Sequence, residues 1–227
     1  MPFVILLVLF VFLLSSLPTL WIKYQLNRFS KHREDLPGTG GEFAQHLVEK
    51  LKLVEVQVLP GDSDYYSPDE KTVYLSSRIY SGQSVAAVAV AAHEVGHAIQ
   101  HDNDENMFNL RLKMAPFALL FQKIAVLIIY MLPILGFVIK SPIAILFFVI
   151  VAIACFLVAV LFQLITLPVE VDASFNKALP ILEKGQYLDD SDLPGVRKVL
   201  RAAAFTYVAA SLLKMINVYT WMRILKR

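Results

Sequence analysis

Two uncharged runs joined by three residues constrain this chain more than anything else in it. Residues 143–162 are twenty consecutive uncharged residues, and 124–139 are sixteen more, with only Lys140-Ser141-Pro142 between them. A helix needs about 20 mostly apolar residues to cross the hydrocarbon core of a bilayer. The shorter run extends backwards through 115–121, with Gln122 and Lys123 inside the extension. A lysine near a span end can lie along the apolar surface and reach the interface. The pair reads as a transmembrane helical hairpin. A third uncharged run, 2–22, reads as an uncleaved anchor. No Lys or Arg precedes it, and Ser15-Ser16-Leu17-Pro18 is a poor small-x-small cleavage site. The stretch 202–222 holds Lys214 and Asn217 in Ala-, Tyr- and Leu-rich sequence. It crosses, lies at the interface or packs on the hairpin.

Hydrophobic residues make up 57% of the 227 and charged residues 18%, against about 25% charged in an average soluble domain. An ordinary soluble enzyme and a disordered chain are both excluded. A net charge of +2 with no long basic run excludes nucleic acid as a partner. The single cysteine, Cys155, cannot form an internal disulfide. Lys and Arg near the span ends set orientation. Lys23, Arg28, Lys31, Arg33, Arg111, Lys113 and Lys177 lie on one side and Lys140 on the other. Segment 23–113 and everything from 168 onward should therefore face the cytoplasm. Arg223, Lys226 and Arg227 favour a last helix that does not cross.

Within 23–113, residues 30–41 read as a linker and 42–53 as a helix, from the spacing of Phe43, Leu47, Val48 and Leu51. Val54 to Leu59 alternates and predicts a strand, Pro60-Gly61-Asp62 a turn, and 71–76 a second strand. Residues 84–100 predict one helix, with Ser84 as its N-cap. That helix carries His93-Glu94-Val95-Gly96-His97. Residues four apart share a helix face, so two imidazoles can hold one zinc ion at about 2.0–2.1 Å. Glu94 points to the side, placed to take a proton from an attacking water and return it to a leaving amine. Zinc lowers the pKa of a bound water from 15.7 to about 7. An apolar, Ala-rich helix has little reason to carry these three polar groups unless something binds them.

A catalytic zinc needs a third protein ligand. His101 continues the register but lies about 6 Å beyond His97 along a straight helix, so it reads as a polar residue at the helix end. Glu170 is the better candidate. It follows the third span in Leu167-Pro168-Val169-Glu170-Val171-Asp172, and two intervening spans return it to the motif's side of the membrane. Pro168 suits a helix start with Glu170 and Asp172 in its first turn. One of the two ligates and the other orients a histidine; Glu170 is preferred.

The sequence resembles the YugP-like family of membrane-bound neutral zinc metallopeptidases. The resemblance runs from Gly61-Asp62 and Tyr66-Ser67-Pro68 through Val73-Tyr74-Leu75-Ser76 and 84–100. It resumes at 167–174 and 201–210. It implies a gluzincin-type site, with His93, His97 and a downstream Glu on one Zn2+ per chain and Glu94 as base. It is also similar to the HtpX and prenyl-protein endopeptidase architecture, where a membrane hairpin separates the zinc helix from the third ligand. Those relatives carry an Asp four residues after the ligand Glu; here that position is Ser174.

The expected fold is a mainly α integral membrane protein with a small α+β zincin-like cytoplasmic domain. Its parts are an anchor (1–22), a catalytic domain (23–113), a hairpin (114–167), and a third-ligand helix with a membrane-associated C-terminal helix (168–227). By the resemblance it sits in a bacterial cell membrane and hydrolyses peptide bonds of protein or peptide substrates, membrane proteins included. The strand around 73–75 would present an edge to an extended substrate. Arg201 and Tyr207 are candidate oxyanion donors, with an interfacial anchor the preferred reading of Arg201. The rival reading is a zinc-binding membrane scaffold or chaperone-like factor, which would need the metal but not Glu94.

Overall fold

The computed structural model describes residues 20–139 and 141–216. Most of the proposed anchor, residues 2–19, and the end of the last apolar stretch, 217–222, lie outside the described residues. The fold is mostly helical with one small sheet. Its elements are α1 (20–29), α2 (Gly40–Lys50), β1 (Gln57–Gly61), β2 (Tyr65–Ser67), β3 (Thr72–Ser76) and α3 (Ser77–Tyr80). There follow α4 (Val85–Asp102), α5 (Asn106–Ile139), α6 (Pro142–Val171), a π-helical segment (Asp172–Ala178), α7 (Leu179–Gly185) and α8 (Leu193–Ile216).

The centre is α4. Ser84 caps it, its hydroxyl accepting from the Ala87 N–H. Its alanines 86, 87, 89, 91, 92 and 98 are fully buried. Side chains this small let α2, α8, the sheet and the π-helical segment all approach one helix. A close approach is at Gly96, where a Cβ would sit 2.8 Å from the Ala173 carbonyl oxygen. The apolar core runs through Leu47, Val73, Leu75, Val95, Leu182 and Leu200.

The sheet departs from expectation in two ways. Lys52 and Glu55 both take left-handed backbone conformations. The α2–β1 connection therefore turns where V-E-V-Q-V-L predicts strand, and β1 begins only at Gln57. Pro60 and Gly61, expected in a turn, belong to β1 and pair with Leu75 and Ser76. A proline is tolerated there because β1 is an edge strand and no partner asks for the missing N–H. The strand order is β1-β3-β2, parallel on one side and antiparallel on the other. The strand around 73–75 is therefore central, paired on both sides. It presents no edge to a substrate; β1 and β2 do.

Helices α5 and α6 lie along each other. Asn106–Leu132 is long and apolar enough to cross a membrane by length and composition, and Pro142–Cys155 is a shorter apolar stretch. Ser141 caps α6 and Pro142 stands in its first turn, where a proline's missing N–H costs nothing. The helix does not restart at Pro168, contrary to expectation. It runs through that residue to Val171 and then widens into the π-helical segment.

Candidate metal centre

Three buried side chains converge between α4 and the end of α6. The Nε2 atoms of His93 and of His97 each lie 3.3 Å from Glu170 Oε2. The three ligand atoms all fall within 4.8 Å of one another. Donors at 2.0–2.1 Å in a tetrahedral arrangement are about 3.3 Å apart, so the group has the span that a zinc ion requires. Glu170 and His93 are 0% and 1% exposed.

The hydrogen bonds behind the imidazoles settle which nitrogen faces the centre. Gln100 donates through Nε2 to the Val169 carbonyl (2.9 Å) and to Asp172 Oδ2 (2.8 Å). Its Oε1 can therefore only accept, and it accepts from His97 Nδ1–H at 2.9 Å. The Ser174 hydroxyl donates to the Leu200 carbonyl, leaving its oxygen to accept from His93 Nδ1–H at 2.9 Å. Both Nδ1 atoms carry a hydrogen and point outward, so both Nε2 atoms face the carboxylate oxygen, as lone pairs toward a bound cation or as N–H donors to Glu170 in its absence. His93 Nε2 is buried without a hydrogen-bond partner. Two imidazole nitrogens and a carboxylate oxygen aimed at one point need a positive charge among them, a proton or a metal ion. The donor set, its spacing and its tautomers thus fit zinc.

The fourth side chain around the carboxylate is Arg111 of α5, whose Nη1 lies 2.8 Å from Glu170 Oε1. Glu170 therefore divides its oxygens, one toward the imidazoles and one toward the guanidinium. Burial alone would push its carboxyl up; His97, His93 and Arg111 outweigh that and hold it well below the ordinary carboxylate range. Arg111 stands 28 residues before the end of α5, and Glu170 28 residues after the start of α6. Equal arms bring them to the same height.

Glu94 is buried beside His93 but is not one of the converging three. Burial pushes its carboxyl up to about 7, partly offset by His93 and reinforced by the charges of Glu170 and Asp64. One of its oxygens has no hydrogen-bond partner. Asp172 stands outside the group, held by Gln100, Asn176 and Lys177. His101 bonds the Tyr66 hydroxyl through Nδ1 at 2.9 Å and is likewise outside. Arg201 is exposed, and the Tyr207 side chain lies outside the described residues. Gln100, Ser174 and Arg111 were not legible as site residues. The equal distances of Arg111 and Glu170 from the hairpin turn are the one signal that could have found the arginine.

Residues 4–226 match the family model described as "Putative neutral zinc metallopeptidase". The chain is 34% identical over 206 residues to the "Putative membrane protease YugP" of Bacillus subtilis (strain 168), covering 89% of this chain and 88% of that protein. No solved structure matches it.

Proposed function

The chain belongs to the neutral zinc metallopeptidase family, and we propose that it is an integral membrane zinc metalloendopeptidase with His93, His97 and Glu170 as metal ligands and Glu94 as general base. The observation that carries this reading is the approach of both Nε2 atoms to one buried oxygen of Glu170 at 3.3 Å. That geometry joins a helix of the polar segment to a residue delivered by the hairpin.

Bound zinc would supply Lewis acidity toward water and the scissile carbonyl. The chain's own residues do the rest. Ser174 and Gln100 keep each Nδ1 protonated and each Nε2 available, which orients the imidazoles. Arg111 steadies the outer oxygen of Glu170. Glu94 holds and returns the proton. A carboxyl held near 7 by burial is poised for transfer at neutral pH, and its unpartnered oxygen is free to meet a water. An extended substrate would pair with the edge of β2, which runs beside α4 and whose Tyr66 hydroxyl reaches His101.

The exposed side chains of the hairpin support the membrane reading. Phe137, Val138 and Ile143 are 80%, 70% and 81% exposed, and Leu127, Ile150, Leu157 and Leu161 are exposed further along. So much contiguous apolar surface needs a lipid or protein cover. At 1.5 Å per residue, 28 residues span about 42 Å, and the hydrocarbon core is about 30 Å thick. The metal centre would then stand about 12 Å clear of the hydrocarbon, on the cytoplasmic side by the distribution of basic residues.

Purified wild-type and Glu94→Gln proteins should carry the same zinc, while only the wild type cleaves unfolded protein substrates. Zinc retention with no cleavage by the wild type would favour the scaffold reading. Undiminished cleavage by Glu94→Gln would remove Glu94 as the base.

A further inference from the structure

Beside the metal-ligand group lies a cavity of about 370 Å3, lined in part by His93 and Glu94 of α4 and by Asp62 and Asp64 of the β1–β2 turn. This size is at the lower end of ordinary ligand pockets, about 300–1,000 Å3. Glu94 contributes a buried oxygen without a hydrogen-bond partner, although the residue is only 3% exposed. Across from it, Asp64 Oδ1 accepts a 2.7 Å hydrogen bond from the Ser76 backbone N–H, which pins that carboxylate in the wall. Asp62 is exposed at the mouth. No lysine or arginine is among the described residues that line the cavity. Asp62 and Asp64 bring negative charge to the cleft from the β1–β2 turn, while His93 and the proposed zinc bring positive charge at the α4 wall; a basic side chain entering from the turn would meet the field of the two turn carboxylates.

These carboxylates do not form a second metal site. Among the described residues, the one grouping of histidine and acidic side chains close enough to hold an ion is His93, His97 and Glu170. Leu26, Val90 and Ala203 add apolar surface to the lining. An acidic cavity with apolar patches suits a cation carried on methylenes.

We propose that this cavity is a substrate subsite that takes the side chain of a lysine or arginine flanking the scissile bond. The substrates are then polypeptides cut beside a basic residue. This rests on the peptidase reading given above.

Two measurements separate the subsite from that reading. The first is fluorescence anisotropy of labelled decapeptides binding to full-length, zinc-loaded Glu94→Gln protein in detergent micelles. The peptides differ only at a central lysine, norleucine or glutamate. The lysine peptide should bind about tenfold more tightly than the norleucine one, as expected for a partly desolvated charge pair, and the glutamate peptide most weakly. The double substitution Asp62→Asn with Asp64→Asn should abolish the difference. Asp64→Asn keeps a side-chain oxygen for the Ser76 N–H, so the turn holds its shape. Equal binding of the lysine and norleucine peptides, or a preference that survives the double substitution, overturns the subsite. The second is digestion of a proteome-derived peptide mixture by the wild type, with Glu94→Gln as the blank. Cleavage sites should be enriched in flanking Lys or Arg. Glu94-dependent cleavage without that bias overturns the subsite and leaves the peptidase standing. Lysine-selective binding with no Glu94-dependent cleavage leaves a pocket for basic side chains but overturns the peptidase and, with it, the pocket's role as a subsite.

Discussion

Ser174 shows how one hydroxyl can direct a candidate metal ligand. It has a single hydrogen, spent on the Leu200 carbonyl, and so it can only accept from His93 Nδ1. Ser174→Ala removes that acceptor and frees the imidazole to rotate. The expected result is zinc affinity weakened about 10–100-fold in a folded protein, read by competition with a chromogenic chelator. Glu94 makes a different prediction, about the metal-free protein. Its carboxyl is raised from 4.5 to about 7 by burial. The raised value contributes stability that is complete below about pH 4.5 and lost as pH rises through about 7. In chelator-treated protein, Glu94→Gln should therefore change little at pH 4.5 and stabilise by on the order of 3 kcal/mol at pH 8. Thermal melts at the two pH values check the sign. The convergence of His93 and His97 was legible in the sequence because their spacing is itself the signal. Ser174 and Gln100 were not, because their partners lie 81 and 72 residues away in sequence or are set by a turn of helix that only packing orients.

Among the elements, α4 is the most readable and the sheet the least. A continuous Ala-rich run behind a serine cap admits few alternatives to a helix, and Val85–Asp102 is one. Strand β2 has three residues, too few to show alternation, and it exists because Tyr65 and Ser67 find Tyr74 and Thr72 on β3. The segment from Pro168 misled for a physical reason. Proline usually marks a helix start or end, yet here it sits inside a helix that widens one turn later. That widened segment packs its Ala173 against Gly96, between the two motif histidines. Gly96→Ala gains about 1 kcal/mol of helix propensity but forces a methyl group to within 2.8 Å of a backbone oxygen. The separation it imposes should cost about 1–3 kcal/mol and move Glu170 away from the imidazoles. Both a lower melting temperature and substoichiometric zinc are expected, the latter measured by metal analysis of the purified protein.

For the molecule as a whole, the hairpin was readable from charge, and the return of Glu170 to the motif histidines followed from its two passes; the contact of Arg111 with Glu170 was not. The proposed topology predicts opposite accessibility at the two ends of α5. In a Cys155→Ser background, Asn103→Cys should react with a membrane-impermeant maleimide only after cells are opened, and Val138→Cys in intact cells. Labelling of both from the same side would refute the single crossing of α5. The buried pair across the hairpin predicts its own defect. Arg111→Met leaves Glu170 Oε1 without its 2.8 Å partner, and losing one member of a buried pair costs about 3–5 kcal/mol. The metal-free variant should melt earlier than the wild type, and saturating zinc should restore part of the loss.

The equal reach of the two hairpin arms has one more consequence. A thicker or thinner lipid sheet would tilt both arms together, so the arginine and the glutamate would rise or sink as a pair and stay in register. Adding one residue to a single arm would do what lipid cannot, turning its end by about 100° and advancing it about 1.5 Å. Under the proposed topology, lipid composition is therefore free to adjust how near the His93, His97 and Glu170 group hangs to the headgroups, while the geometry of that group belongs to the count of residues on either side of the bend.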